Sequence, residues 1–597
     1  MARAGCEDGA APPAASAGGG RRAGRRAAGA RPLLAAGLLL ALLAACSHAP
    51  RHAAVTPDPL ASYVKARMAE RLAAPGAGTL FLQAAAGGLD DERVRQSALF
   101  HLILEGRMGE AERLARAMPG ADEGDDLPRL IVVLAHLRAG EGAAALAAIE
   151  GLRARGFGQV VRPVLEAWAA ALAGDADRAL QALRPLESRY GLAVHVKMER
   201  ALLLDFLGQT ERAATAYKGL VYGRGLPNLA PLMSYLALLQ RSGRADEAKT
   251  VLADMEKAYP ANAVLADAGR RIAAGGRVPA FAASPAGGVA VMLLELAEEI
   301  AREDLLRPAI IYARLAAWLA PELEEARVRL IDLLSRADYH DAARAIAATI
   351  PAASPWWPAA RRAAALAERR AGDMDRAIAI LQDYLARQRD DIDSWMLLGD
   401  LLRLDERYAD AVAAYGRAIA EMERRGLAPG WYPYFARGIA HERGGDWRKA
   451  EADFLVALDK KPDEADLLNY LGYSWLDRGM RIDEAVALIE RAAELKPDDG
   501  AIVDSLGWAY YVKGEIARAV ETLERAVLLM PNDPTINEHL GDAYWRAGRT
   551  REARFQWAHA LAFGPEPGRR PVLERKLKLG LKDADDRRIA RGGEPGS

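Results

Sequence analysis

The sequence predicts an all-α superhelical solenoid, built from stacked helix pairs in two blocks. Three observations carry that prediction. Apolar residues recur at helical spacing through most of the chain, and Gly or Pro interrupts them at a period of ~34 residues. At 597 residues the chain exceeds what one hydrophobic core ordinarily organises, which calls for several cores or for units packed on their neighbours. With 51% hydrophobic and 27% charged residues, it is also too apolar for wholesale disorder. Two cysteines exclude a disulfide scaffold. A formal charge of -1, from 80 Lys+Arg against 81 Asp+Glu, supplies no global field for a phosphate backbone. Nucleic acid is therefore not an expected partner.

Residues 1–45 read as a leader. They hold six Arg against Glu7 and Asp8, so the chain beyond them is mildly acidic. A short apolar run, Pro32–Leu43, follows Arg31 and ends in Leu43-Ala44-Ala45-Cys46. A charged start, a short apolar stretch and small residues at its exit describe a secretory signal, and the run is too short to span a membrane. Leu-Ala-Ala-Cys resembles a bacterial lipobox. The resemblance implies cleavage before Cys46, acylation of that cysteine, and anchoring by more than one chain, as stable attachment requires. Ser47 after it implies the outer membrane rather than the inner one. Residues 46–89 are expected to form a lipidated tether and an entry helix.

The array is expected from about 90 to 567. Degenerate units recur near 90–120, 123–155, 158–191, 194–227 and 229–262, marked by Gly174, Gly208 and Gly243, and together form a first block over 90–273. Residues 274–289 hold Gly275, Gly276, Pro279, Pro285, Gly287 and Gly288, and read as a linker. A second block, 290–567, begins with weak copies at 290–322, 323–357 and 358–391 and sharpens towards its end. Within 500–533, Leu506-Gly507, Tyr510, Ala519, Leu523, Ala526 and Pro531 match the tetratricopeptide pattern of ~34 residues. The units on either side repeat these landmarks, with Leu471-Gly472, Ala485 and Pro497 before and Leu540-Gly541, Ala553 and Pro565 after. Small residues let paired helices approach, and Gly514 and Gly548 close the first helix of a pair. About thirteen helix pairs result. Residues 568–597 are expected to give a capping helix, charged outward, and a disordered tail.

The array takes up nearly all of the chain beyond the leader, and no catalytic motif lies within it. The nine histidines are scattered, and the one i, i+4 pair, His48 and His52, flanks Pro50. No enzyme activity, metal or cofactor is expected. What remains is surface. In tetratricopeptide arrays the first helix of each pair lines the concave face. The lining positions give Met396, Asp400, Arg403, Tyr432, Phe435, Asn469, Tyr473, Asp504, Trp508, Tyr511, Glu538, Asp542 and Trp545. Asn469, Asp504 and Glu538 hold one register in successive units, and such a rank can hydrogen-bond the backbone of an extended peptide. Trp508, Tyr511 and Trp545 would add rigid apolar contact area. The same residue types also serve as helix caps and core aromatics, and both readings stay open at this point.

Asn469-Tyr470-Leu471-Gly472-Tyr473, Asp504-Ser505-Leu506-Gly507-Trp508 and Glu538-His539-Leu540-Gly541-Asp542 are more specific than the general repeat. With Arg551-Glu552-Ala553-Arg554-Phe555-Gln556-Trp557 they resemble a proteobacterial family of large tetratricopeptide outer-membrane lipoproteins. That family includes the lipoprotein binding partner of the periplasmic carboxy-terminal processing protease. The resemblance implies a non-enzymatic adaptor whose array receives protein partners, bringing the protease to peptidoglycan hydrolases. An assembly factor, pilotin-like or serving outer-membrane protein biogenesis, is the alternative reading.

Overall fold

The computed structural model describes residues 58–118, 126–153, 158–187, 193–223, 229–280 and 284–581. The expected leader, Cys46 and the tail from 582 onward lie outside the described residues. All regular structure among the described residues is helical, as the sequence predicts, and helices pack chiefly on their chain neighbours. The chain divides into two compact units, one running to Leu401 and the other from Leu402. The expected break at 274–289 is instead internal to the first unit.

In the first unit the expected entry helix is a helix pair, Pro59–Arg71 with Ala77–Ala86. Asp58 caps the first helix, its side chain accepting from the Leu60 N–H at 3.0 Å, and Pro59 occupies the first turn, where its missing N–H costs nothing. The second helix is Ala-rich and lacks the repeat landmarks, but buries Phe81 against Tyr63, ring centroids 5.9 Å apart. The pairs Glu92–Leu104 with Met108–Ala117, Leu127–Ala139 with Gly142–Glu150, and Gly158–Leu172 with Ala176–Ala182 follow. Ala193–Phe206 with Thr210–Val221 and Ala230–Arg241 with Ala245–Ala258 continue the period.

The linker reading needs correction at its end, residues 285–289, whereas 274–280 lie outside any helix. Ser284 caps a helix, Pro285–Arg302, that takes in Gly287, Gly288 and Val289. Gly and Pro signal a loop in the sequence, but here each has a packing role. Pro285 stands in the first turn. Gly288 lies so close to Trp168 that an added Cβ would overlap the indole ring. The helix thus packs on Gly158–Leu172, and its partner Leu306–Leu319 packs on Glu92–Leu104, so the array of the first unit turns back on itself. Polar groups are trapped at this return contact. Trp168 Nε1 donates to Glu199 Oε2 at 2.8 Å, and His195 Nδ1 lies 2.5 Å from Glu295 Oε2.

The second unit shows why the repeat landmarks exist. Its pairs are Trp431–Arg443 with Trp447–Lys460, Ala465–Asp477 with Ile482–Leu495, Gly500–Lys513 with Ile516–Leu529, and Pro534–Arg546 with Thr550–Ala562. Asp499 and Asp533 cap first helices, accepting from Ala501 and Thr535 N–H groups at 3.0 and 2.8 Å. Gly514 ends one of them at φ 85°, the left-handed conformation an L side chain resists. Mid-helix glycines face the bulky residue of the paired helix. A Cβ on Gly438 would come within 2.6 Å of Phe454, one on Gly472 within 2.7 Å of Ile489, and one on Gly541 within 2.5 Å of Trp557. Phe454, Leu523 and Trp557 are fully buried as a result. The final helix, Arg570–Leu579, follows. It was expected to be charged outward, yet Leu573 and Lys576 are both buried, because its lysine has carboxylate partners on the repeats.

Candidate functional site

Several of the expected groove positions of the last repeats come together beside the final helix. Asp504 lies in the second turn of Gly500–Lys513 and Trp508 one turn further on, so both point the same way. Across from them, Glu538, His539 and Asp542 project from Pro534–Arg546. Asp504 meets His539 Nδ1 at 2.9 and 3.0 Å, and the imidazole stacks on Trp508 with centroids 4.1 Å apart. Trp508 in turn stacks on Tyr511 at 4.7 Å. Burial opposes charge on His539, but the Asp504 carboxylate overrides it and raises its pKa. Burial and the nearby Asp504 charge push the Tyr473 phenol far above its usual range.

The final helix closes the arrangement. Lys576 Nζ reaches Glu538 at 2.6 Å and both oxygens of Asp542 at 2.6 and 2.9 Å, with all three side chains buried. Arg569 adds a second cation on Glu538 at 2.5 Å. Asp542 also accepts from Trp557 Nε1 at 2.8 Å. The two carboxylates diverge electrostatically. Burial would raise Glu538, but Lys576 and Arg569 hold it down at about 2. Burial prevails at Asp542, which Lys576 only partly offsets, and its pKa is raised. Beyond the helix, Gly580 approaches the Trp545 ring so closely that no side chain would fit there.

Of the expected peptide-clasping rank Asn469, Asp504 and Glu538, the last two are engaged within the chain, as is the groove position Asp542. Their oxygens are taken up by His539, Arg569 and Lys576 of the same chain, and Tyr511 is fully buried. Upstream positions are dispersed. Phe435 is a packing residue, 5.5 Å from Trp431 and 5.7 Å from Tyr470 by ring centroid. Tyr432 lies edge-on to Trp431 at 5.8 Å. Arg403 Nε donates to the Tyr415 hydroxyl at 3.3 Å. Asn469 is half-buried, with Oδ1 shielded from solvent. Met396 and Asp400 are half-buried on the helix Ile392–Leu404, within the first unit. His539, Arg569 and Lys576 were missed as members of the constellation. One signal was available, since His539 stands directly after Glu538, the residue one repeat beyond Asp504. Among the described residues no group of His, Cys, Asp and Glu has the geometry of a metal site, and no helix is long and apolar enough to cross a membrane.

Residues 362–425 and 435–500 match the family described as tetratricopeptide repeat, and 507–548 match that described as TPR repeat. The second unit carries tetratricopeptide repeats. A TPR repeat-containing protein of Pseudomonas aeruginosa is 41% identical over 85 residues, a match spanning 14% of this chain and 14% of that relative. Among solved structures, the APC/C hetero-tetramer Cut9–Hcn1 is 15% identical with a TM-score of 0.37, over 81% of this chain and 99% of that one. YrrB, described as a TPR protein with an unusual peptide-binding site, is 17% identical with a TM-score of 0.27, over 33% of this chain and 98% of its own. Tetratricopeptide repeats generally serve as non-catalytic protein-binding scaffolds, and this chain carries them over 362–425, 435–500 and 507–548.

Proposed function

We propose that the chain is a non-enzymatic, lipid-anchored adaptor at the periplasmic face of the outer membrane, bringing a carboxy-terminal processing protease to cell-wall hydrolase clients. The observation that carries this reading is the pairing of Leu43-Ala44-Ala45-Cys46 with an array whose last repeats hold the signature Asn469–Tyr473, Asp504–Trp508 and Glu538–Asp542. A lipid at Cys46 would keep the array beside the enzymes that remodel the wall. Repeats present many weak contacts on a long surface, which suits holding two partners at once at raised effective concentration.

The test is client turnover in the source bacterium. Deleting the gene should lengthen the half-lives of one or more peptidoglycan hydrolases, and restoring it with Cys46→Ala should not rescue them. Unchanged hydrolase half-lives together with depleted secretin or porin oligomers would instead establish the assembly-factor reading.

A further inference from the structure

The first helix of the first unit, Pro59–Arg71, has one face that packs and one that does not. Ser62 and Ala66 are buried on the packed side. On the other, Leu60, Val64, Met68 and Leu72 recur at every fourth position and are 61%, 49%, 58% and 73% exposed. Four large apolar side chains in one line on a solvent-facing helix are not the scattered exposure normal for a soluble surface. Lys65, Arg67 and Arg71 are exposed beside this stripe. The helix's one internal acid, Glu70, is turned inward, 2.5 Å from Arg67, 3.6 Å from His101 and 3.4 Å from Arg307. Asp58, at the cap, is the other acid nearby. The outward surface is thus apolar with a cationic border.

Its place in the chain narrows what can cover it. Eleven residues separate Cys46 from Asp58, and extended chain covers at most about 3.5 Å per residue, so the start of the helix lies within about 40 Å of the proposed anchor. An apolar stripe bordered by Lys and Arg is the composition of a helix that lies in the plane of a membrane interface. Its side chains enter the acyl boundary while its cations meet anionic headgroups. We propose that the helix Pro59–Arg71 docks by its Leu60–Val64–Met68–Leu72 stripe onto an anionic phospholipid bilayer. It is a second, non-covalent membrane contact that holds the first repeats against the surface. The proposal takes its geometry from the lipid-anchor reading, but the affinity of the stripe is a property of this helix alone.

The test uses the chain from residue 47, which keeps every described residue and lacks Cys46, in flotation with phosphatidylglycerol–phosphatidylethanolamine vesicles. The wild-type chain should float at millimolar lipid and low salt, and weakly with phosphatidylcholine alone. Combined Leu60→Gln, Val64→Gln, Met68→Gln and Leu72→Gln should cut partitioning by about ten-fold or more with an unchanged melting curve, because these side chains make no core. Lys65→Ala with Arg71→Ala should remove the preference for anionic lipid. A wild-type chain that stays unbound, or a stripe variant that floats as well as wild type, overturns the proposal. So does loss of a protein partner by the stripe variant when vesicles bind neither chain. Acyl groups on Cys46 are read separately, by mass analysis of protein from membranes, so the two readings can fail independently.

Discussion

Replacing Lys576 by Met is expected to destabilise the end of the second unit by about 3–5 kcal/mol, the cost of removing one partner from a buried ion pair. The ammonium lies between Glu538 at 2.6 Å and Asp542 at 2.6 Å. Without it, Asp542 keeps the indole N–H of Trp557, and Glu538 keeps Arg569. Two carboxylates would then face each other in a region closed to water. The loss should be partly recovered by adding Glu538→Gln and Asp542→Asn, which remove the uncompensated charges while keeping the shapes. Denaturant titration with hydrogen exchange over 534–579 measures it. A loss below about 1 kcal/mol, the range of exposed pairs, would mean that the final helix is not docked as described.

The second large effect concerns Glu199 in the first unit. Burial raises its pKa from 4.5 to about 8, with the Glu295 charge adding to the rise and the Trp168 hydrogen bond opposing it. At neutral pH the folded chain therefore holds this carboxyl protonated, while the unfolded chain releases the proton. Its contribution to stability is fully present below the unfolded value and is lost as pH rises from 4.5 towards 8. The slope is about 1.4 kcal/mol per pH unit, giving about 4–5 kcal/mol as an upper figure across that window. Glu199→Gln should abolish the slope. The variant should match wild type near pH 5 and exceed it by several kcal/mol near pH 8, in urea titrations at both pH values. His195 and Glu295 titrate beside it, with the Glu295 contact raising His195 and burial raising Glu295, so the difference between variant and wild type is the informative quantity. Parallel pH profiles would show that Glu199 reaches solvent.

The repeats were legible where every landmark survives. In 466–563 glycine, alanine and proline stand at the positions that helix approach and chain reversal demand, and the sequence alone placed the helix pairs. They blurred where another residue does glycine's work. Asp304, Asp338 and Glu406 close first helices at φ 58°, 65° and 58°, the role of Gly372, Gly514 and Gly548 elsewhere. The opposite error came at Pro285, Gly287 and Gly288, where residues that signal a loop lie inside a helix because Trp168 occupies the space beside Gly288. Propensity is local, and that tertiary contact joins residues far apart in the chain. The site was legible as a register but not as a state. The spacing of Asn469, Asp504 and Glu538 is visible, whereas the arrival of Lys576 and Arg569 depends on a helix folding back from beyond the array.

Crosslinking in intact cells, read by mass spectrometry, tests the central claim most directly. A protein that works by holding others should yield crosslinks from residues of its repeats to a processing protease and to at least one wall hydrolase, with both sets lost when Cys46→Ala releases the chain from the membrane. Crosslinks confined to outer-membrane assembly components, or a chain that joins no other protein, would contradict it.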